Sequence, residues 1–290
     1  MKVKSLRAAI AFLVINTGAS LLMAQEKLPN KTISDYREQG IIQYQTRQFE
    51  KAVESFQKAL EVDPSHASTH NDLGVTYSAL GRRLEAVESF KRAISLRPDF
   101  PVALCNLGTE YYHLEDWEHA REFLQKSLLL DPHNDLAINN LAFVYLENGS
   151  QSEAAVLFKQ IIAKGTASAE VHRGFGSALF QQGDTQGAQK HLKEAIRLKP
   201  SFAEAHNGLG IVHYERGEHK QAAEFFTRAI QLNRQYDDAI YNLGVVRLIQ
   251  KQRADALAQY DKLKSLNPEL AGRLYRGMYK GMILSLEGKY

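Results

Sequence analysis

The sequence predicts an all-α protein built as a stack of antiparallel helix pairs. Three observations predict it. A 34-residue pattern runs seven times from Ile33 with no insertion or deletion. Small residues recur at two fixed places in every block, and glycine or proline punctuates the blocks where helices should turn and stop.

The blocks are residues 33–66, 67–100, 101–134, 135–168, 169–202, 203–236 and 237–270. Place eight holds Gly40, Gly74, Gly108, Ala142, Gly176, Gly210 and Gly244; place twenty holds Ala52, Ala86, Ala120, Ala154, Ala188, Ala222 and Ala256. A glycine inside a helix costs up to about 1 kcal/mol against alanine, so its recurrence argues for a steric need. That need is the close crossing of two helices, which tolerates almost no side chain. Large residues complement the small ones: Leu73, Leu107, Leu141, Phe175, Leu209 and Leu243 at place seven, and Phe56, Phe90, Leu124, Phe158, Leu192, Phe226 and Tyr260 at place twenty-four. Gly81, Gly149, Gly183 and Gly217 fall between the two helices of a block, and Pro64, Pro98, Pro132, Pro200 and Pro268 follow the second. Thr166 and Arg234 replace that proline, so their junctions are expected to be less sharply set.

At 44% apolar and 24% charged over 290 residues, the chain has the composition of a folded protein and not of a disordered one. Its net charge of +3 comes from the amino terminus alone. Setting aside Lys2, Lys4 and Arg7 within residues 1–24 leaves 33 basic residues to balance 33 acidic ones. No basic stripe remains, which argues against nucleic acid as a partner.

Residues 1–24 read as a signal peptide: a positive start, the apolar run Ala8–Ile15, and Ala24 as a cleavage point, with the Gly18-Ala19-Ser20 triplet as an alternative. The expected location is outside the cytoplasm, periplasmic or secreted. An uncleaved segment 8–24 would instead anchor the chain, and only then is a membrane a partner. Residues 25–32 form a linker. The single Cys105 suits an exported chain with no internal disulfide.

Segments such as Asn71-Asp72-Leu73-Gly74-Val75-Thr76-Tyr77, followed by Ala86, Phe90, Ala93 and Pro98, resemble the tetratricopeptide-repeat family over residues 33–270. The resemblance implies a right-handed superhelical solenoid whose first helices line a concave surface. Residues 271–290, with Leu274, Tyr275, Met278, Met282 and Leu286 at helical spacing, are expected to form a C-terminal capping helix.

No catalytic constellation emerges. Gly174-Phe175-Gly176 and Gly208-Leu209-Gly210 lack the third glycine and preceding strand of a nucleotide loop, and their repeat places account for them. His66 and His70 straddle a block junction without further ligands, and His70, His172 and His206 share place four, where packing is the simpler role. The chain is therefore expected to be no enzyme, with no cofactor and no metal.

The resemblance implies ligand contact from places two, five, six, nine, twelve and thirteen of the first helix. Place twelve supplies Tyr44, Tyr112, Phe180 and Tyr214, and place nine supplies Phe143. These rings either pack between repeats or present a groove able to bury an apolar helix or extended peptide. Places five and six add Asn71, Asn106, Asn139, Asn140, Asn207 and Asn242. Some family members bind a peptide backbone through an asparagine ladder, and amides can both donate and accept. Asp72, Gly174 and Gly208 interrupt that row here. The basic residues by which chaperone-binding members grip a carboxylate are missing, apart from Arg37 and Arg173. The expected function is a scaffold or adaptor for a protein or peptide partner. The alternatives are an accessory, substrate-guiding subunit of a separate enzyme or a self-associating homo-oligomer.

Overall fold

The computed structural model describes residues 31–165, 167–280 and Glu287. The expected signal peptide, most of the linker, Thr166 and the remainder of segment 281–290 lie outside the described residues.

The described residues form fifteen helices and no strand. The seven pairs are α1 (Ile33–Gln45) with α2 (Phe49–Val62), α3 (Ala67–Ala79) with α4 (Arg83–Leu96), and α5 (Pro101–His113) with α6 (Trp117–Leu130). They continue as α7 (Asp135–Glu147) with α8 (Gln151–Ala163), α9 (Ala169–Gln181) with α10 (Thr185–Leu198), α11 (Ala203–Glu215) with α12 (His219–Leu232), and α13 (Asp237–Ile249) with α14 (Arg253–Leu266). A last helix, α15 (Pro268–Lys280), follows. Each helix packs on the next in sequence. First helices also touch the first helices of neighbouring pairs, whereas no second helix of a pair touches another among the described residues. The first helices therefore crowd together and line the inside of a curved stack.

Local chemistry explains where each helix begins and turns. Thr32 opens α1 with a capping box: its hydroxyl accepts from the Asp35 N–H, and the Asp35 carboxylate accepts from the Thr32 N–H. His66, Asp116, Asn134, Ser168 and Asp184 cap later helices through their side chains. Place fifteen of every block has positive φ. Glycine meets that demand at 81, 149, 183 and 217, but Arg47, Glu115 and Lys251 adopt it with side chains, at φ of 60°, 59° and 60°.

The small residues at places eight and twenty do what their recurrence implied. A Cβ at Gly40 would lie 2.6 Å from the Phe56 ring, and one at Gly74 would lie 2.6 Å from the Phe90 ring. Ala52, Ala86 and Ala120 are fully buried beside them. Block four has Ala142 at that place, so the Phe158 ring is accommodated by Gly174 of the next block, where a Cβ would sit 2.6 Å from its Cζ. In block seven the residue against Gly244 is Leu274 of α15, at 2.6 Å from a Cβ, and not its own Tyr260.

Two junctions differ from expectation. At Arg234 the helix stops at the same place as in proline-bearing blocks, because Asn233 Oδ1 accepts from the Gln235 N–H at 3.1 Å and forms the turn. The last helix begins at Pro268, three residues before 271. Proline suits a first helical position, where no N–H is needed, and Asn267 Oδ1 caps the start by accepting from the Leu270 N–H at 3.2 Å. Leu270, Leu274 and Met278 of α15 are buried against Ile240, Tyr241 and Leu263, covering the end of the stack. No helix among the described residues is long and apolar enough to cross a membrane.

Candidate functional site

The asparagines of the first helices bond mainly to one another. Place five of one block meets place six of the next, 35 residues on. Arg37 Nε donates to Asp72 Oδ2 at 2.7 Å, Asn106 Nδ2 to Asn71 Oδ1 at 3.0 Å, and Asn242 Nδ2 to Asn207 Oδ1 at 3.1 Å. Cys105 breaks the row at block three, and Asn140 Nδ2 donates instead to Thr109 Oγ1 at 2.7 Å. Asn71, Asn207 and Asn242 are buried, so these three, expected to present amides to a partner, are covered by the protein itself; Asn106 and Asn140 are half-buried. The row acts first as a strap between repeats.

At two steps the strap is missing, because place six is Gly174 in block five and Gly208 in block six. Packing explains both glycines: a Cβ at Gly208 would lie 3.0 Å from Leu192 Cδ2, as one at Gly174 would crowd Phe158. The place-five residues before them, Asn139 and Arg173, therefore meet a glycine at place six of the next block. Both line a concave cavity of about 690 Å³ on the inner face.

That cavity brings together Tyr112 and Phe143 with Asn139, three of the residues singled out by their repeat places. Tyr112 is half-buried, its ring 5.5 Å from Trp117 at the start of the second helix of its block. Phe143 is half-buried, edge-on to Phe158 at 5.1 Å. Tyr44 and Tyr214 are propped in the same way, on Phe49 at 5.4 Å and His219 at 5.5 Å, but neither lines the cavity, nor does Phe180.

Several lining residues escaped the linear reading. Phe202 and Tyr236 occupy place thirty-four, as does Ser168, and Glu170, Glu204 and Asp238 occupy place two of three consecutive blocks. With Glu147 they make four carboxyl groups against the single Arg173 on the cavity lining. Glu170 is held below the usual carboxylate range by its own backbone N–H and by Lys199 Nζ at 3.0 Å. Asp238 goes the other way: burial, then Asp237 and Glu287, push it up to about 6. Burial also raises the Tyr236 hydroxyl. The result is an aromatic-walled, acidic cleft spanning blocks three to seven.

The remaining polar groups have structural partners. His70 and His206 Nε2 donate to the carbonyls of Pro64 and Pro200, at 2.9 Å and 3.2 Å, tying place four to the preceding junction. Block four ends without that proline, and His172 stacks on His191 with Nδ1 atoms 3.0 Å apart. Burial holds both imidazoles below their ordinary range. Burial pushes the Cys105 thiol up to about 11, so it sits as a small apolar group. No cluster of three or more His, Cys, Asp or Glu placed to hold a metal occurs among the described residues.

The family model of the Cilia and flagella-associated protein 70 C-terminal domain, a tetratricopeptide-repeat domain, matches residues 14–240. No curated protein matches the chain. Among solved structures, a tetratricopeptide repeat protein from Parabacteroides merdae is 18% identical, with 84% of this chain and 97% of that one covered and a TM-score of 0.65. MamA from Desulfovibrio magneticus RS-1 is 23% identical over 59% of this chain and 97% of that one, with a TM-score of 0.54. A chain of the APC/C hetero-tetramer Cut9-Hcn1 is 18% identical over 76% of this chain and 44% of that one, with a TM-score of 0.61. At these identities the structures speak to the fold.

Proposed function

Because the chain belongs to the tetratricopeptide-repeat family described by that domain, we propose that it is an exported, non-catalytic adaptor holding a polypeptide of net positive charge in its concave groove. The acidic cleft is the observation that carries this reading. Glu170 is paired with Lys199, and the three other carboxyl groups still outnumber the one guanidinium, so the lining attracts Lys and Arg side chains and repels acidic ones. Tyr112, Phe143 and Tyr236 offer flat apolar area with few torsions to freeze, and Asn139 offers an amide for the guest backbone. The positive start and apolar run at Lys2–Ile15 support export.

Affinity capture from native extract tests the groove. The double variant Glu147→Lys/Glu204→Lys should lower recovery of the partner at least about tenfold while helical circular dichroism stays unchanged. Tyr112→Ala/Phe143→Ala should do the same by removing the apolar wall. Full recovery with both variants would sink the reading. Export is tested by amino-terminal sequencing of the exported fraction, with Gln25 as the expected first residue.

A further inference from the structure

Second helices of neighbouring pairs do not touch among the described residues, so a furrow separates them on the outer face. At two steps in the early blocks, side chains bridge it. Gln57 Nε2 of α2 donates to the Tyr77 hydroxyl of α3 at 3.3 Å, and Gln125 Nε2 of α6 donates to the Tyr145 hydroxyl of α7 at 2.8 Å. These residues hold places twenty-five and eleven. At the step from block six to block seven the same places hold Thr227 and Arg247. Threonine is too short to cross, and Arg247 is turned along α13: its Nη1 donates to Gln250 Oε1 at 3.0 Å and Gln252 Oε1 at 2.7 Å. The furrow between α12 and α14 therefore stays open, as two cavities of about 510 and 520 Å³ that meet at Thr227 and Gln231.

Its charge is opposite to that of the inner cleft. Lys220, Arg228 and Arg247 line the first cavity and Arg234 and Lys262 the second, against Glu224 alone. None of the five cations has a carboxylate partner among the described residues. Arg228 and Lys262 reach only neutral amides, Gln231 Oε1 at 3.2 Å and Gln259 Oε1 at 3.1 Å. Lys264, which lines a different cavity, is by contrast paired with Asp261 at 2.9 Å. The cations run from Lys220, near the start of α12, to Arg234, just past its end. Those 14 helical residues measure about 21 Å, room for about six residues of extended chain. A row of that length suits a polymer and not a single phosphate. The lining carries no aromatic ring on which a base could stack, but Ile230 and Leu243 give it an apolar patch beside the charges. Arg247, half-buried on the central helix, lies deeper than the exposed Lys220, Arg228 and Lys262, so a narrow chain reaches it where a flat membrane surface would not.

We propose that the furrow between α12 and α14 docks an extended acidic segment, rich in Glu or Asp, of a second protein partner. Arg228, Arg234 and Arg247 offer forked donors to its carboxylates, and Lys220 and Lys262 add charge at the rims. The furrow lies on the outer face, so this inference goes beyond the cleft reading and stands without it. The two surfaces together would let one chain hold two partners of opposite charge.

The test uses the full chain and a fluorescent peptide of alternating glutamate and serine, about eight residues long, read by anisotropy at low salt. The wild-type chain should bind it, and a glutamine-for-glutamate peptide should bind at least tenfold more weakly. Arg228→Glu/Lys262→Glu should lose at least tenfold. Lys58→Glu/Arg92→Glu makes the same change of charge at the same place in blocks one and two and should lose less than twofold. Thr227→Gln/Arg247→Tyr rebuilds the side-chain bridge of the early blocks and should also lose at least tenfold, with helical circular dichroism unchanged. If that pair fails to fold, the exposed Arg228/Lys262 pair decides alone. No binding by the wild-type chain, or equal loss with the Lys58/Arg92 pair, would overturn the proposal. So would sedimentation with anionic phospholipid vesicles, or self-association lost in Arg228→Glu/Lys262→Glu, when the peptide stays free. Tyr112→Ala/Phe143→Ala should leave peptide binding unaltered, so failure at the furrow and failure at the cleft are read separately.

Discussion

Gly210→Ala is the sharpest test of why the small residues recur. An added Cβ would stand 2.5 Å from Phe226 Cε1, 2.6 Å from Cδ1 and 3.0 Å from Cζ. The ring cannot swing away, since it is fully buried among Ile211, Ala222, Ala223, Leu243 and Val246. Overpacking of this kind costs about 1–3 kcal/mol, against which removing a helical glycine returns up to about 1 kcal/mol. A net loss of about 1–2 kcal/mol is expected. Gly272→Ala in α15 supplies the control, because a Cβ there meets only the mobile end of Arg276, at 3.5 Å. It should gain up to about 1 kcal/mol, so identical substitutions differ by about 2–3 kcal/mol with opposite signs. Urea unfolding of both variants beside wild type measures the difference. Native-state hydrogen exchange in α11 and α12 localises it, since repeats can unfold in part. A Gly210→Ala protein as stable as Gly272→Ala would refute the crossing argument.

Three further outcomes follow from particular sites. Arg47, Glu115 and Lys251 hold positive φ with a side chain, so replacing each by glycine should raise stability by about 1 kcal/mol, whereas Gly217→Ala should lower it by a similar amount; thermal melting reads both signs. Asp238, raised to about 6, favours protonation in the fold more than in the unfolded chain. Its destabilising contribution is absent below about pH 4, grows between about 4 and 6, and is complete above. Asp238→Asn should therefore stabilise by about 1–2 kcal/mol near pH 8, allowing for solvent around a half-buried group, and by nothing near pH 3.5; an equal gain at both values contradicts the assignment. Leu274→Ala removes a fully buried side chain from the cap and should cost about 2–5 kcal/mol, with exchange protection lost first in α13 and α14.

The period, the helix pairs and their turns were legible because each is set within one block by residue type. Positive φ at Arg47, Glu115 and Lys251 was legible only by register, since none of these residues favours that conformation; glycine at the same place in four other blocks is the signal. The asparagines were legible as a row but not as mutual partners. Their bonds join residues 35 apart, one more than the period, and that offset is a property of how pairs stack. Phe202 and Tyr236 were missed because place thirty-four lies just ahead of a helix, outside the face on which contacts were sought. Acid at place two in blocks five, six and seven was present in the sequence and would have pointed to the charge of the cleft.

The cleft and the strap are two outcomes of one choice at place six. Where that place carries Asp72, Asn106 or Asn242, its side chain ties back to the preceding block and closes the polar seam. Where it carries Gly174 or Gly208, the room goes to Phe158 or Leu192 behind the helix, and Asn139 or Arg173 turns to the cleft lining. Glycine at that place therefore serves the core and the surface together: it admits a large side chain between repeats, and the place-five residue before it lines the cleft. The acidic place-two residues fall in the block that holds the first such glycine and in the two blocks after it. The cleft lining gathers around the steps where the strap fails, and the first two blocks, strapped by Arg37–Asp72 and Asn71–Asn106, contribute nothing to it. On the proposed groove reading, the amino-terminal blocks are a support and blocks three to seven are the surface that meets a partner.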